Sequence, residues 1–177
     1  MGPQRIFTTP THGNGLRDNT IVMMISDHGE GGGHHQKVLK NFLYDEAAKV
    51  PLIFSCPNRI PAGRQDDKHL VSNGDIVPTL CHYADVKAPD DVRGRGLRPL
   101  TENTPSEWRE FLAAEVAQRG NMIRTPGHKY VSYQGDPVEQ LFDMRSDPGT
   151  RNLAGDSAHA SILAEHQKLL STWAEPS

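Results

Sequence analysis

The sequence predicts an α/β chain: part of a mainly parallel sheet with flanking helices, followed by a small antiparallel sheet packed on a C-terminal helix. Three observations predict it. Two short, unbroken apolar runs, Ile21-Val22-Met23-Met24-Ile25-Ser26 and Val50-Pro51-Leu52-Ile53-Phe54-Ser55, have the character of strands buried on both faces. Three later segments, Asn121–Arg124, Lys129–Tyr133 and Glu139–Asp143, are separated by Thr125-Pro126-Gly127 and Gln134-Gly135-Asp136-Pro137, which is the spacing of an antiparallel meander. Finally Ile162, Leu163, His166, Leu169, Leu170 and Trp173 fall at offsets 0, 1, 4, 7, 8 and 11, the apolar stripe of one helix face.

The remaining elements follow in order. Residues 1–19 are rich in Pro, Gly and Thr and read as an irregular N-terminal arm. After the first apolar run comes Asp27-His28-Gly29-Glu30-Gly31-Gly32-Gly33-His34-His35, a glycine-rich loop dense in ligand-type side chains. Lys37–Lys49 reads as helix or irregular, and Cys56–Gly63 as a turn-rich loop. Ser72 or Asp75 is expected to cap a short helix running to about Tyr83, with Pro78 near its first turn. Pro89–Pro105 has the composition of a surface crossing. Glu107–Arg119 reads as helix or a mixed segment, and Asp156 or Ser157 starts the final helix. Residues 20–106 are thus expected to form the α/β part and 107–177 a small α+β subdomain.

Composition narrows the function. The chain has 177 residues, 36% of them apolar, with 19 basic and 22 acidic side chains for a net charge of −3. That is enough apolar content for a core, and the scattered basic residues argue against nucleic acid as the partner. No apolar run is long enough to span a bilayer. Met1–Thr20 has no continuous apolar stretch and does not read as a signal peptide. Two cysteines, Cys56 and Cys81, read as packing residues rather than a disulfide framework.

Chemistry concentrates behind the first strand. Asp27 and His28 sit beyond the carboxyl end of an apolar strand, where open α/β sheets place their ligands. A carboxylate and an imidazole there suit a divalent cation. Gly31, Gly32 and Gly33 let the backbone approach an anion, and Lys40 supplies a point charge to it. Read in isolation, the same pair simply caps a turn. Glu30 reads as a solvated loop acid, Trp108 and Trp173 as packing residues, and His128 and Lys129 as an exposed hairpin turn.

The wider context favours the ligand reading. Asp18–Ile21 through Ser26–Glu30, then Lys40–Ile53, then Ile60-Pro61-Ala62-Gly63 occur in an order that resembles the sulfatase family of the alkaline-phosphatase superfamily. Val71–Leu80, Gly94-Arg95-Gly96-Leu97-Arg98-Pro99-Leu100, and Glu139–Asp143 with Asp147-Pro148 and Asn152-Leu153-Ala154 continue the likeness, which runs from about residue 13 to the C-terminus.

The resemblance implies several roles. Asp27 and His28 match a pair of calcium ligands, and Lys40, thirteen residues after Asp27, matches a lysine that holds the sulfate of a sulfate ester substrate. His35 matches a histidine near the pocket mouth, with His34 its rival. Calcium prefers oxygen, so His28 is also a candidate to bond the sulfate. The resemblance further implies a periplasmic or secreted parent.

The family attacks sulfur with a formylglycine made from Cys or Ser in a Cys/Ser-x-Pro-x-Arg motif, helped by a first aspartate pair. Cys56-Pro57-Asn58-Arg59 has its Pro and Arg one position too early for Cys56 to be that nucleophile. The expectation is therefore a C-terminal sulfatase fragment with an incomplete calcium site, one sulfate-binding lysine and no catalytic nucleophile, inactive alone. Two rivals stand beside it. One is a phosphodiesterase or phosphonate monoester hydrolase of the same superfamily, which manganese or zinc would favour. The other is a non-catalytic module that self-associates through an exposed sheet edge.

Overall fold

The computed structural model describes residues 15–36, 39–104, 107–116, 119–146 and 149–174. In chain order its elements are β1 (Val22–Ile25), α1 (Asp45–Ala48), β2 (Leu52–Ser55), α2 (Ile76–Tyr83), α3 (Arg98–Thr101), β3 (Leu112–Val116), β4 (Gly120–Arg124), β5 (His128–Tyr133), β6 (Gln140–Asp143) and α4 (Ala160–Ala174). They divide into two compact units. One runs up to Ser26 and takes in Pro51–Asp66 and Asn73–Glu107; the other comprises Asp27–Val50, Asp67–Ser72 and Trp108–Ser177.

In the first unit β1 and β2 form a two-stranded antiparallel sheet, with Val22 opposite Ser55 and Ile25 opposite Leu52. The expected parallel sheet is therefore corrected: among the described residues no strands pair in parallel. Apolar runs carry no information about direction. A parallel pair needs a long crossover, usually helical, and among the described residues between β1 and β2 the only α-helix is the single turn α1. Nor are the two strands buried on both faces, since Met24, Ile25 and Ile53 are exposed.

The rest of that unit is tied by α2. Asp75 precedes the helix, but its carboxylate does not cap it. Fully buried, it accepts the Arg95 N–H at 2.8 Å, while the Thr79 hydroxyl donates to the Asp75 carbonyl and accepts the Leu97 N–H at 2.8 Å. The glycines of Gly94-Arg95-Gly96-Leu97 permit this approach, because a Cβ on Gly94 would stand 1.9 Å from the Gly74 carbonyl oxygen. Cys56 and Cys81 are free thiols, as their reading as packing residues requires.

The second unit contains the expected antiparallel sheet, in the order β3-β4-β5-β6. Its first strand corrects the reading of Glu107–Arg119: the alanine-rich Leu112–Val116 has helical propensity, but pairing with β4 makes it a strand. Side chains alternate across the sheet. One face carries Ile123, Tyr130 and Leu141, which with Leu153 receive Ile162, Leu163, Leu169 and Leu170 of α4. The other carries Met122 and Val131, which receive Leu43. Asp156 starts the final helical stretch, its side chain accepting the Ala158 N–H at 3.0 Å. Asn152 clasps the edge strand β6: its Oδ1 accepts the Leu141 N–H at 3.0 Å, and its Nδ2 donates to the Glu139 carbonyl at 2.9 Å. Among the described residues no helix is long and apolar enough to cross a membrane.

Candidate functional site

The turn after β1 is shaped by a backbone contact. Gly29 N–H donates to the Ala47 carbonyl at 2.8 Å, and a Cβ on Gly29 would stand 1.9 Å from the Glu46 carbonyl oxygen. Only glycine fits there, so the Asp27-His28-Gly29 turn closes directly onto α1. The exposed Asp27 carboxylate accepts the His28 N–H at 3.0 Å. That amide above all, with the Lys40 ammonium adding to it, holds the Asp27 carboxyl below its ordinary pKa.

His28 is the pivot. Its Nδ1 lies 2.7 Å from the Gly29 carbonyl oxygen, which only accepts, so Nδ1 carries the proton and the neutral ring turns the lone pair of Nε2 outward. The Lys40 ammonium donates to that nitrogen, and Asp27 Oδ2 lies 3.3 Å from it. Carboxylate, imidazole and ammonium thus meet around one atom, and Lys40 is exposed to solvent.

The other predicted site residue, His35, has different partners. Its ring stacks on Tyr44 at 3.9 Å between centroids and 8° between planes, and its Nε2 lies 3.7 Å from Glu46 Oε1. His34 reaches the same carboxylate oxygen at 3.5 Å. Glu46 therefore engages both histidines that the sequence offered as rivals.

A family model described as the C-terminal region of N-sulphoglucosamine sulphohydrolase matches residues 33–175. The chain belongs to the sulfatase family. It is 38% identical over 165 residues to the Delta 4,5-hexuronate-2-O-sulfatase of Bacteroides thetaiotaomicron, covering 86% of this chain and 34% of that protein. Its fold matches a structure solved with its substrate D-glucosamine-2-N,6-O-disulfate, with a TM-score of 0.82 and 31% identity over 92% of this chain and 35% of the other. It also matches the phosphonate monoester hydrolase of Agrobacterium radiobacter, with a TM-score of 0.81 and 29% identity over 91% of this chain and 36% of the other. The chain spans about a third of the length of the curated relatives it matches.

The residues of this sulfatase chain do not by themselves fit a calcium ion. Calcium takes six to eight oxygen ligands. Here the cluster offers one carboxylate and an imidazole whose open nitrogen already receives an ammonium, and no group of three or more His, Cys, Asp or Glu able to hold a metal occurs among the described residues.

Sequence reasoning missed two features. Lys129 is not on an exposed turn: it is fully buried, and its ammonium lies 2.7 Å from Asp45 Oδ1. Its register position beside the buried Phe142 of β6 was the available signal, overridden by its charge. The second concerns the stretch around Cys56. Counted from Ser55 instead, Ser55-Cys56-Pro57-Asn58-Arg59 does have the Ser-x-Pro-x-Arg spacing, which attention to the cysteine concealed. It lies inside the stretch matched as sulfatase C-terminal region. Ser55 closes β2 opposite Val22, and the Arg59 guanidinium donates to the Tyr83 carbonyl at 3.4 Å.

Proposed function

We propose that this chain is the C-terminal portion of a sulfuric ester hydrolase, in which Lys40 and His35 bind the sulfate of a sulfate ester. In the same reading Asp27 is a ligand of a calcium site whose other donors are not among the described residues, and His28, which the resemblance offers as the second ligand, instead bonds the sulfate through Nε2. Residues 20–106 then belong to the α/β core of the enzyme and 107–177 to its small C-terminal subdomain. One observation carries the reading: the Lys40 ammonium against His28 Nε2, beside the Asp27 carboxylate.

The chemistry of these side chains is positioning. An ammonium on an exposed stem places a full positive charge against sulfuryl oxygens. When an anion draws Lys40 toward itself, His28 Nε2 is released, and because Nδ1 is committed to Gly29 it is Nε2 that takes up a proton from solvent and donates it in a hydrogen bond to the anion. The cluster of Asp27, His28 and Lys40 holds no serine or cysteine nucleophile, so it binds the sulfate without turning it over.

Likeness to phosphonate monoester hydrolases supports a second reading within the superfamily, with a phosphonate or phosphate diester as substrate. Exposed Met24, Ile25 and Ile53 support a third, self-association through the two-stranded sheet, which light scattering over a concentration series reads directly.

The test is ligand-observed binding of para-nitrophenyl sulfate, with para-nitrophenyl phenylphosphonate alongside. The sulfate ester is expected to bind the wild-type chain, to lose that binding in Lys40→Met, and to remain unhydrolysed. Preference for the phosphonate supports the second reading. Equal binding to wild type and Lys40→Met overturns the role given to Lys40, and turnover overturns the absence of a nucleophile.

A further inference from the structure

Both arms of the site are clamped to one short stretch of chain. The arm bearing Asp27 and His28 is held through Gly29, whose backbone closes onto Glu46 and Ala47. The arm bearing the exposed Lys40 is held just beyond it. Phe42 and Leu43 are buried, the Leu43 N–H donates to the Tyr133 hydroxyl at 3.1 Å, and the Tyr44 ring packs 5.9 Å from that of Phe142. Asp45, between these two anchorages, accepts from Lys129 at 2.7 Å across 84 residues of sequence.

Lys129 has no solvent exposure, and its ammonium lies 5.7 Å from the centre of the Phe142 ring. A buried ammonium is tolerated only with its carboxylate in place, so the pair enforces a single position for Asp45. Arg124, opposite Lys129 in the strand register, is also under the influence of Asp45. Loss of Lys129 therefore leaves Asp45 with a cation nearby, and methionine at position 129 keeps the face packed.

We infer that Lys129, acting through Asp45, is a positioning residue that sets Lys40 against His28. The inference rests on the reading of Lys40 and His28 as contacts to the substrate oxyanion. Lys129 touches neither substrate nor reacting atoms; it fixes the stretch to which both arms are attached.

The test combines amide hydrogen exchange with binding of inorganic sulfate, followed at the His28 ring by NMR, in wild type, Lys129→Met, Lys129→Arg and Asp45→Asn. Exchange at Gly29, Gly31 and Leu43 is expected to rise about tenfold or more in Lys129→Met and Asp45→Asn, to return toward wild type in Lys129→Arg, and to stay unchanged in β4 and β5. Sulfate affinity is expected to fall about tenfold in Lys129→Met and to return toward wild type in Lys129→Arg. Asp45→Asn changes a partly exposed side chain and keeps the test open should Lys129→Met fail to fold. Unchanged exchange at the three amides, an equal rise throughout the sheet, or wild-type sulfate affinity in Lys129→Met overturns the inference. If the wild-type chain takes no sulfate at all, the reading of Lys40 falls, and the exchange measurements alone decide Lys129.

Discussion

Gly29 approaches Glu46 so closely that a Cβ on the glycine would stand 1.9 Å from the glutamate carbonyl oxygen. Because the clashing atom is backbone, neither side can yield by changing rotamer. Gly29→Ala is expected to destabilise the chain by about 1–3 kcal/mol, the usual range for overpacking, and to displace His28 from Lys40. Thermal unfolding checks the first part and the His28 ring resonance the second; an alanine variant with wild-type values for both would contradict the geometry.

The interior of the other unit makes a separate prediction. Thr79 joins the Asp75 carbonyl to the Leu97 N–H, its fully buried hydroxyl donating to one and accepting from the other. Thr79→Val keeps the shape and strands both partners, for an expected loss of about 1–3 kcal/mol in denaturant unfolding. Thr79→Ser retains the hydroxyl and is expected to lose less.

Tyr130 titrates unusually. Burial first, and then its hydrogen bond to Glu139, pushes the phenol up to about 12. A group whose folded pKa is raised stabilises the native state fully below the unfolded value, near 10, and that contribution disappears as pH climbs from there to the folded value. Absorbance titration is expected to show one late tyrosine that is missing in Tyr130→Phe, and alkaline unfolding in wild type is expected to begin above about pH 10.

His128 works in the opposite direction. Burial lowers its pKa against the pull of Asp143, with His166, Arg145 and His159 adding to the lowering. A folded pKa below the unfolded value of about 6.5 means that stability is present above that pH and is lost as pH falls toward the folded value. The melting temperature is therefore expected to drop between pH 7 and pH 5, and to drop less in His128→Gln. A variant with the wild-type pH profile would assign the loss to another group.

Much of the second unit was legible because its pattern is local. The turns at Thr125-Pro126-Gly127 and Gln134–Pro137 delimit strands, and the stripe from Ile162 to Leu170 meets the sheet face that the alternation of Ile123, Tyr130 and Leu141 creates. The direction of β1 against β2 was not legible, because a run such as Val22–Ile25 pairs equally well either way and only the path of the connection decides. The meeting of Asp27, His28 and Lys40 was readable from their order along the chain together with the family resemblance. What sequence alone hid is how they are held: the Gly29 approach and the Asp45–Lys129 pair join residues far apart in sequence, and a lysine reads as surface until its carboxylate partner is seen.

The central claim is that Lys40 and His28 together receive a tetrahedral oxyanion. Titrating inorganic sulfate into the chain while following the His28 ring nitrogens, in wild type and in Lys40→Met, tests it most directly. The expected result is a saturable shift at Nε2 in wild type that is absent in Lys40→Met, with Nδ1 little changed because it stays bonded to Gly29. The same shift in both proteins, or none at His28 while sulfate binds elsewhere, would contradict it.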